Sequence, residues 1–289
     1  MVSRIEKNKK ERKKIEKEEK IKKSKERIIK IAKHVFIASS IVAVVLLYVY
    51  YASTRQLTIK EYSPTVEGLP ENFHGFKIVQ FGDLYYDNNY DYILDKVVAN
   101  INKIEPDLVV FTGGLINKNY KVNSSIIEKI TNKLKKIKSS TSKYYVVSDI
   151  DNEVCVEILN ESGFTFLDDK EESIYFNGTT PISIIGINKT TKINYNKDLF
   201  NIVILNDSKK IDNVLQEIDA EFIMSGKNLN GQRRIPYYGS VINRDKYINE
   251  HYTNNNTEIY ITGGIGTNNL PVRLFNHPSI NYIRLRTKK

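Results

Sequence analysis

The segment Ser-Gly-Lys-Asn-Leu-Asn-Gly-Gln-Arg-Arg-Ile-Pro, residues 225–236, begins where an apolar run at 221–225 ends. Such a short run is typical of a buried strand, and the glycines and proline that follow it indicate a tight loop. Loops at the carboxyl ends of strands are where α/β proteins place their functional sites. Because short glycine-containing loops are common, the meaning of this loop depends on the rest of the chain.

The chain around this loop alternates strand and helix patterns. Residues 76–81 predict a strand, the apolar stripe at 93–104 predicts a helix, and residues 107–112 predict a second buried strand. Strand, helix and strand in this order form a βαβ unit. The pattern recurs and predicts an α/β sandwich, whose further strands are expected at 57–63, 143–147, 201–205, 221–225 and 258–262, with helices at 124–136 and from 152.

The charge of the chain is concentrated at its start. Residues 1–34 contain 15 Lys and Arg and 6 Glu, a net charge of +9, whereas the remainder contains 29 basic and 28 acidic residues. A nearly neutral domain lacks the electrostatic footprint of nucleic-acid binding, so nucleic acid is not expected as a partner. The basic tail, residues 1–34, is predicted to be a solvated, partly helical extension or an arm held near anionic lipid headgroups.

Residues 35–52 form an uncharged run of 18 residues in which only Ser39 and Ser40 interrupt the apolar and aromatic character. As a helix this run would reach ~27 Å, close to the thickness of the hydrocarbon layer. A cleaved signal peptide is disfavoured by the long charged lead and by the lack of a small-x-small site before Thr54, and a buried core helix by the lack of a polar face. We therefore expect a single-pass anchor in the cell membrane.

The orientation of this anchor follows from its flanks. The basic excess before the run predicts a cytoplasmic N-terminus, and the tyrosines Tyr48, Tyr50 and Tyr51 are expected at the opposite interface. The domain at residues 53–289 is then extracytoplasmic. Its single cysteine, Cys155, cannot form an intramolecular disulfide and is expected to be a small buried residue.

Several stretches match the calcineurin-like metallophosphoesterases in residue type and spacing. They are Leu-Pro at 69–70 with Phe-His-Gly-Phe-Lys-Ile-Val-Gln-Phe at 73–81, Pro-Asp-Leu-Val-Val-Phe-Thr-Gly at 106–113, Gly-Gln at 231–232 with Pro236, and Gly-Ile-Gly-Thr at 264–267 with Pro-Val-Arg at 271–273. Over residues 57–286 the chain resembles the membrane-anchored branch of this family. The resemblance implies a β-sandwich flanked by helices, here preceded by one N-terminal transmembrane helix, and a site at which two divalent metal ions promote hydrolysis of phosphate esters.

The resemblance also locates the positions of the family's metal site, of which only the first keeps the family's residue. In chain order these positions are Asp83, Tyr85, Gly114, Asp149, Ile150, Asn206, Lys227 and Leu229. Gly114 replaces the carboxylate that bridges the two metals, and the histidines are replaced throughout. Metal binding needs carboxylate and imidazole ligands, so we expect no metal cofactor, no functional catalytic residue and no hydrolysis by the family's mechanism.

The charged residues at these positions allow two explanations. Asp83 and Asp149 are predicted to face Lys227, whose ammonium group compensates their charge in place of a metal and lies at salt-bridge distance from Asp149. Alternatively, these positions drifted after selection for metal binding ended. Arg233, Arg234 and Arg273 are candidates for binding an anionic group at the rim, against the alternative that they are solvated or paired with surface acids.

Three functions remain open from the sequence. The first is a membrane-anchored pseudoenzyme that acts by binding or scaffolding an unidentified protein, envelope polymer or anionic ligand at the outer membrane face. The second is a metal-dependent phosphoesterase with a remodelled site, in which Asp83, Asp149 and Asn206 hold one metal and the substrate is a membrane-derived phosphate ester. In the third, the basic arm is the functional part and the domain is a cap.

Overall fold

The computed structural model describes residues 2–87, 91–241, 245–268 and 272–288. The chain divides into two compact units, Met1–Tyr48 and Val49–Lys289. The first unit is one long helix, α1 (Val2–Tyr48), in which Nζ of Lys20 lies 3.0 Å from a carboxylate oxygen of Glu16 one turn earlier. Within the described residues, one helical stretch, Lys7–Tyr51, contains an 18-residue window of mean hydropathy 2.0 and has the length and composition needed to cross a membrane.

The second unit begins with a π-helical turn, Val49–Ser53, and continues as a mixed α/β domain. Its helices are α2 (Asp91–Ile104), α3 (Ser124–Leu134), α4 (Glu153–Glu161) and α5 (Ile211–Glu217). Its strands are β1 (Thr58–Tyr62), β2 (Thr65–Val66), β3 (Lys77–Phe81), β4 (Leu108–Phe111), β5 (Ser142–Tyr145), β6 (Thr165–Phe166), β7 (Lys170–Ile174), β8 (Ile182–Ile187), β9 (Asn201–Asp207), β10 (Phe222–Gly226), β11 (Arg234–Ile235), β12 (Gly239–Ser240), β13 (His251–Asn254), β14 (Thr257–Ile261), β15 (Ser279–Arg284) and β16 (Arg286–Thr287).

Two six-stranded sheets form the centre of this domain. Their strand orders are β1-β15-β3-β4-β5-β6 and β13-β14-β10-β9-β8-β7. Strands β3, β4, β5 and β6 run parallel to one another, and so do β8, β9, β10 and β14. Strand β15 is antiparallel to β3, β7 to β8 and β13 to β14. The carboxyl ends of parallel strands meet at one edge of each sheet, so the loops that follow them lie close together.

Side chains alternate between the two faces of a strand, so each sheet contributes to two apolar layers. One layer lies between the sheets and the other lies under the helices. Ile78 and Val110 point into a cluster that also contains Ile204 and Met224 from the second sheet. The intervening side chains of the first sheet pack against α2, α3 and α4, and α5 covers the outer face of the second sheet. The predicted sandwich of two sheets flanked by helices is therefore confirmed.

The sequence interpretation missed strand β15, which lies between β1 and β3. Asn281 interrupts the apolar pattern of this strand, although it is completely buried. Its side-chain amide donates to the side-chain oxygen of the buried Gln80 at 3.0 Å, and Gln80 in turn donates to the carbonyl of Ser225 in the second sheet at 2.9 Å. A buried polar pair of this kind has the sequence appearance of a loop.

Two smaller predictions concern single residues. Cys155 is buried in α4, as expected, and is 1% exposed. Pro271, which belongs to the Pro-Val-Arg stretch of the resemblance, lies outside the described residues.

A candidate binding cleft at the carboxyl ends of the strands

The predicted site positions are carried by loops at the carboxyl ends of β3, β4, β5, β9 and β10, and these loops converge. Asp83 follows β3, Gly114 follows β4, and Lys227 follows β10. The backbone amide of Lys227 donates to Oδ2 of Asp83 at 2.7 Å, and a carbon built as Cβ on Gly114 would lie 3.0 Å from Oδ1 of Asp83. The structure therefore brings the predicted positions together around Asp83.

Asp83 is completely buried and has a left-handed backbone, with φ of 48°. Its Oδ1 atom has no hydrogen-bond partner among the described residues. Burial raises the pKa of Asp83 to about 7, although the Lys227 amide and the Tyr85 phenol lower it. An aspartate with such a pKa carries its proton for a large part of the time at neutral pH.

The ammonium group of Lys227 lies between two carboxylates. Its Nζ atom is 2.8 Å from Oδ2 of Asp207 and 3.4 Å from Oδ2 of Asp149. Burial lowers the pKa of Lys227, but the two aspartates outweigh this effect and the net pKa is raised. Burial by itself raises the pKa of Asp207, but the hydrogen bond and the charge of Lys227 outweigh burial. The net pKa of Asp207 is therefore lowered. Both groups are thus held in their charged forms.

The expected contact between Lys227 and Asp149 is present, but the expected role of Asp83 is corrected. Asp83 bonds to the backbone amide of Lys227, whereas the ammonium group pairs most closely with Asp207. Asp207 was not among the predicted site residues. It is brought here by an irregularity between β9 and β10 at which it pairs with Gly226, a feature that local sequence does not reveal.

The ring of Tyr85 occupies the space above Gly114. A Cβ atom built on Gly114 would be 2.9 Å from Cε1 of Tyr85, and the φ of Gly114 is 76°. Tyr85 is 7% exposed, and burial together with the neighbouring Asp83 raises the pKa of its phenol well above the ordinary value. A carboxylate at position 114 would therefore need Tyr85 to move.

Asp151 fixes the loop that contains Gly114. Its carboxylate accepts from the backbone amides of Gly114 and Leu115 at 2.7 and 2.8 Å and from both the amide and the hydroxyl of Ser148 at 2.9 Å. Asp151 was not among the predicted site residues. Four hydrogen bonds to one carboxylate show that this residue joins the loops after β4 and β5.

The remaining predicted positions have structural partners. The amide of Asn206 donates to the carbonyl of Thr112 at 2.6 Å, so it joins β9 to the loop after β4. Leu229 is 3% exposed and packs beside Gly264. Ile150 and Asp149 lie at the surface of the cleft, where the side chain of Asp149 is 67% exposed.

Two of the three candidate arginines are bonded to groups within the protein. Arg273 is completely buried, and its guanidinium group donates to the carbonyls of Gly263 and Gly266 at 2.6 to 2.9 Å. Arg234 donates to the carbonyl of Asn230 and to the Asn249 side chain, and Arg233 is partly buried and forms a backbone bridge with Leu274. Arg273 and Arg234 thus hold loops together, and the complete burial of Arg273 corrects its assignment to the rim.

The residues at this site do not fit a pair of divalent metal ions. A cationic ammonium group already sits between Asp149 and Asp207, the ring of Tyr85 fills the position of the bridging carboxylate, and the amide of Asn206 is turned to a carbonyl. Among the residues that the structure describes, no group of three or more His, Cys, Asp or Glu side chains is placed to hold a metal. Hard cations prefer several oxygen or imidazole ligands free of a competing cation.

A cleft of about 330 Å³ opens beside Lys227. It is lined by Tyr85, Asn117, Lys118, Asn119, Asp149, Ile150, Asp207, Ser208, Lys209, Lys227, Asn228, Asp245, Thr267 and Asn268. This lining includes three lysines, three aspartates and four asparagines. Its volume lies in the range of small-ligand sites.

Comparison with known proteins adds one relative. No family model matches the chain. Among curated proteins, the chain is 25% identical over 262 residues to the uncharacterized metallophosphoesterase YkuE of Bacillus subtilis (strain 168), an alignment that covers 83% of this chain and 89% of the relative. The similarity thus extends over nearly the whole of both chains.

Proposed function

We propose that this chain, a member of the calcineurin-like metallophosphoesterase family, is a membrane-anchored binding protein that does not hydrolyse phosphate esters. Its outer domain binds a ligand or scaffolds a partner at the extracytoplasmic face of the cell membrane. Helix α1 anchors it, with the basic tail on the cytoplasmic side near anionic lipid.

One observation carries this proposal: the ammonium group of Lys227 is held by Asp207 and Asp149 where the family places a metal ligand. A fixed positive charge among the remaining carboxylates neutralises them and repels a divalent cation. Without a metal the site lacks a group that lowers the pKa of water and neutralises a phosphate.

The chemistry of the cleft favours a polar ligand over a phosphate ester. Lys227 is paired with Asp149 and Asp207, and Lys209 lies 3.7 Å from Asp245, so much of the charge is neutralised within the protein. The amides of Asn117 and Asn119 supply further hydrogen-bonding groups. We propose that the ligand bears hydroxyl and amide groups, as an envelope polymer does.

The proposal is tested by measuring hydrolysis of bis(4-nitrophenyl) phosphate with the full-length protein in detergent. We expect the same background rate with and without Mn²⁺, and the same rate for the Asp83→Ala variant. Turnover that requires Mn²⁺ and is lost in Asp83→Ala would overturn the proposal. That result would establish the alternative of a remodelled metal-dependent phosphoesterase.

A further inference from the structure

The domain carries one cluster of exposed apolar side chains. Among the described residues after Tyr51, six large hydrophobic side chains are exposed, and five of them belong to this cluster. The sixth, Tyr175, follows β7. We call the cluster the apolar patch, and its members are Ile235, Tyr237, Tyr238, Val241 and Phe275.

The apolar patch is built on a short hairpin. Strands β11 and β12 pair Arg234 with Ser240 and Ile235 with Gly239, which leaves Pro236, Tyr237 and Tyr238 at the tip. Phe275 lines the same shallow depression as this tip. Tyr237 and Tyr238 have relative exposures of 108% and 91%, so their rings extend fully from the domain surface.

The conformation of the tip is unfavourable for its sequence. Tyr237 has a φ of 69°, a left-handed conformation that bulky residues rarely adopt. The fold thus holds two aromatic rings in water on a strained turn. Such an arrangement is expected where the exposed residues have a binding role.

The apolar patch lies near the point where the chain enters the domain. Ser53 and Thr54 are buried, and Oγ1 of Thr54 accepts from the backbone amide of Arg273 at 2.9 Å. Phe275 follows Arg273 by two residues, so the Cα atoms of these two residues are at most roughly 7 Å apart. The carbonyl of Leu274, between them, accepts from the amide of Arg234 at 2.9 Å and so joins this segment to the hairpin.

The residues just before Thr54 have the composition of a membrane interface. Tyr50 and Tyr51 are exposed, and the guanidinium group of Arg55 lies 4.8 Å and 5.4 Å from the centres of their rings. Tyrosine and arginine in this position are typical of the headgroup region, which is roughly 5 to 8 Å deep on each side of the hydrocarbon layer. With Tyr50 to Arg55 in the headgroup region, the distance from Thr54 to the start of the apolar patch is about the thickness of that region.

We infer that the apolar patch is a second membrane contact, in which Tyr237, Tyr238 and Phe275 insert into the headgroup region of the bilayer that α1 spans. This inference rests on the membrane anchor proposed above. Aromatic rings with a polar group suit this region because one end is apolar and the other hydrated. The contact would hold the domain in one orientation on the membrane surface.

The test uses the absence of tryptophan from the sequence, because one substitution then creates a unique fluorophore. Full-length variants are placed in nanodiscs of phosphatidylcholine and phosphatidylglycerol, with and without bromine on the acyl chains near the headgroups. Tyr238→Trp reports on the apolar patch. Tyr175→Trp is the matched control, since Tyr175 is 61% exposed and lies at the amino end of β8, the opposite end of the sheet. Leu46→Trp reports on the anchor.

We expect brominated lipid to reduce the emission of Tyr238→Trp about twofold and to leave Tyr175→Trp unchanged. Leu46→Trp must also be quenched. Quenching of Leu46→Trp without quenching of Tyr238→Trp would overturn the inference and leave the anchor intact. A blue-shifted but unquenched Tyr238→Trp would also overturn it, because a second copy or another protein would then cover the apolar patch. Failure to quench Leu46→Trp would refute the anchor itself.

Discussion

At the scale of single residues, the proposed loss of metal binding rests on internal charge pairing between Lys227 and the carboxylates of Asp149 and Asp207. Asp83 stands where the resemblance implies a metal-binding carboxylate, but it is completely buried, and its Oδ1 has no hydrogen-bond partner among the described residues. A completely buried carboxylate costs stability whenever it is ionised, because burial removes it from water. This cost should depend on pH.

The Asp83→Asn variant tests that cost. The ordinary pKa of this aspartate is 3.8 and burial raises it to about 7, so between these values the folded state holds a proton that the unfolded state releases. The free energy of unfolding of the wild type therefore falls as pH rises through this window. We expect Asp83→Asn to be more stable than the wild type at pH 8 and to lose that advantage near pH 4.

Thermal unfolding of the full-length protein, followed by near-ultraviolet circular dichroism, measures this difference. The control is Glu161→Gln, because Glu161 is exposed and should show no such trend. A stability difference between Asp83→Asn and the wild type that is the same at pH 4 and pH 8 would contradict a raised pKa.

Lys227→Met removes the internal cation. Asp149 and Asp207 would then repel each other, so we expect the free energy of unfolding to fall by about 1 kcal/mol, a modest value because Lys227 is partly exposed to solvent. Lys209→Met is the matched control, since this lysine is 69% exposed and 3.7 Å from Asp245. Equal effects of the two substitutions in urea unfolding would show that Lys227 has no special role.

At the scale of elements, the loops after β3 and β4 have adapted to each other. Tyr85 fills the space that a side chain at position 114 would need, and Asp151 holds the backbone of Gly114 in place. Tyr85 and Gly114 are distant in the sequence, but in the structure each depends on the other for its packing. Introducing the residue that the resemblance implies at only one of these two positions should destabilise the domain.

Gly114→Asp should destabilise the domain by about 2 kcal/mol, because its Cβ would contact Tyr85 and Asp83 at a φ of 76°. A smaller ring relieves one of these contacts. The double variant Gly114→Asp with Tyr85→His should therefore be more stable than the sum of the two single changes predicts. Additive unfolding free energies across this double-mutant cycle would contradict the packing account.

The sequence correctly predicted the strands that are apolar throughout and the loops that follow them. It failed where polar residues are buried with their partners, as in β15, where Asn281 bonds to Gln80. In the site it identified Lys227 and Asp149 but missed Asp207, because the register between β9 and β10 depends on tertiary pairing. It also could not show that Arg273 points into the protein, since an arginine next to a loop looks the same whether buried or exposed.

At the scale of the whole molecule, charge and hydropathy divide the chain. The tail before residue 35 carries a net charge of +9, and the apolar run after it belongs to a helix that is long enough to cross a membrane. Positive charge on one flank predicts which side of the membrane each unit occupies. A direct accessibility experiment tests this orientation.

Two serine-to-cysteine variants report on the two sides. Ser24 is exposed in the tail and Ser173 is exposed in the domain, while the native Cys155 is 1% exposed and should react little. With a membrane-impermeant maleimide on intact cells, we expect labelling of Ser173→Cys and not of Ser24→Cys until the cells are permeabilised. The reverse pattern would invert the proposed orientation.

The central claim is that Lys227 has taken the place of the metal ions, and metal binding by the full-length protein tests it most directly. The protein is incubated with excess Mn²⁺, separated from free metal, and examined for bound metal and for the midpoint of thermal unfolding with and without chelator. We expect far less than one ion per chain and an unchanged midpoint. One or two tightly bound ions per chain, with a higher midpoint that Asp83→Asn abolishes, would contradict the account.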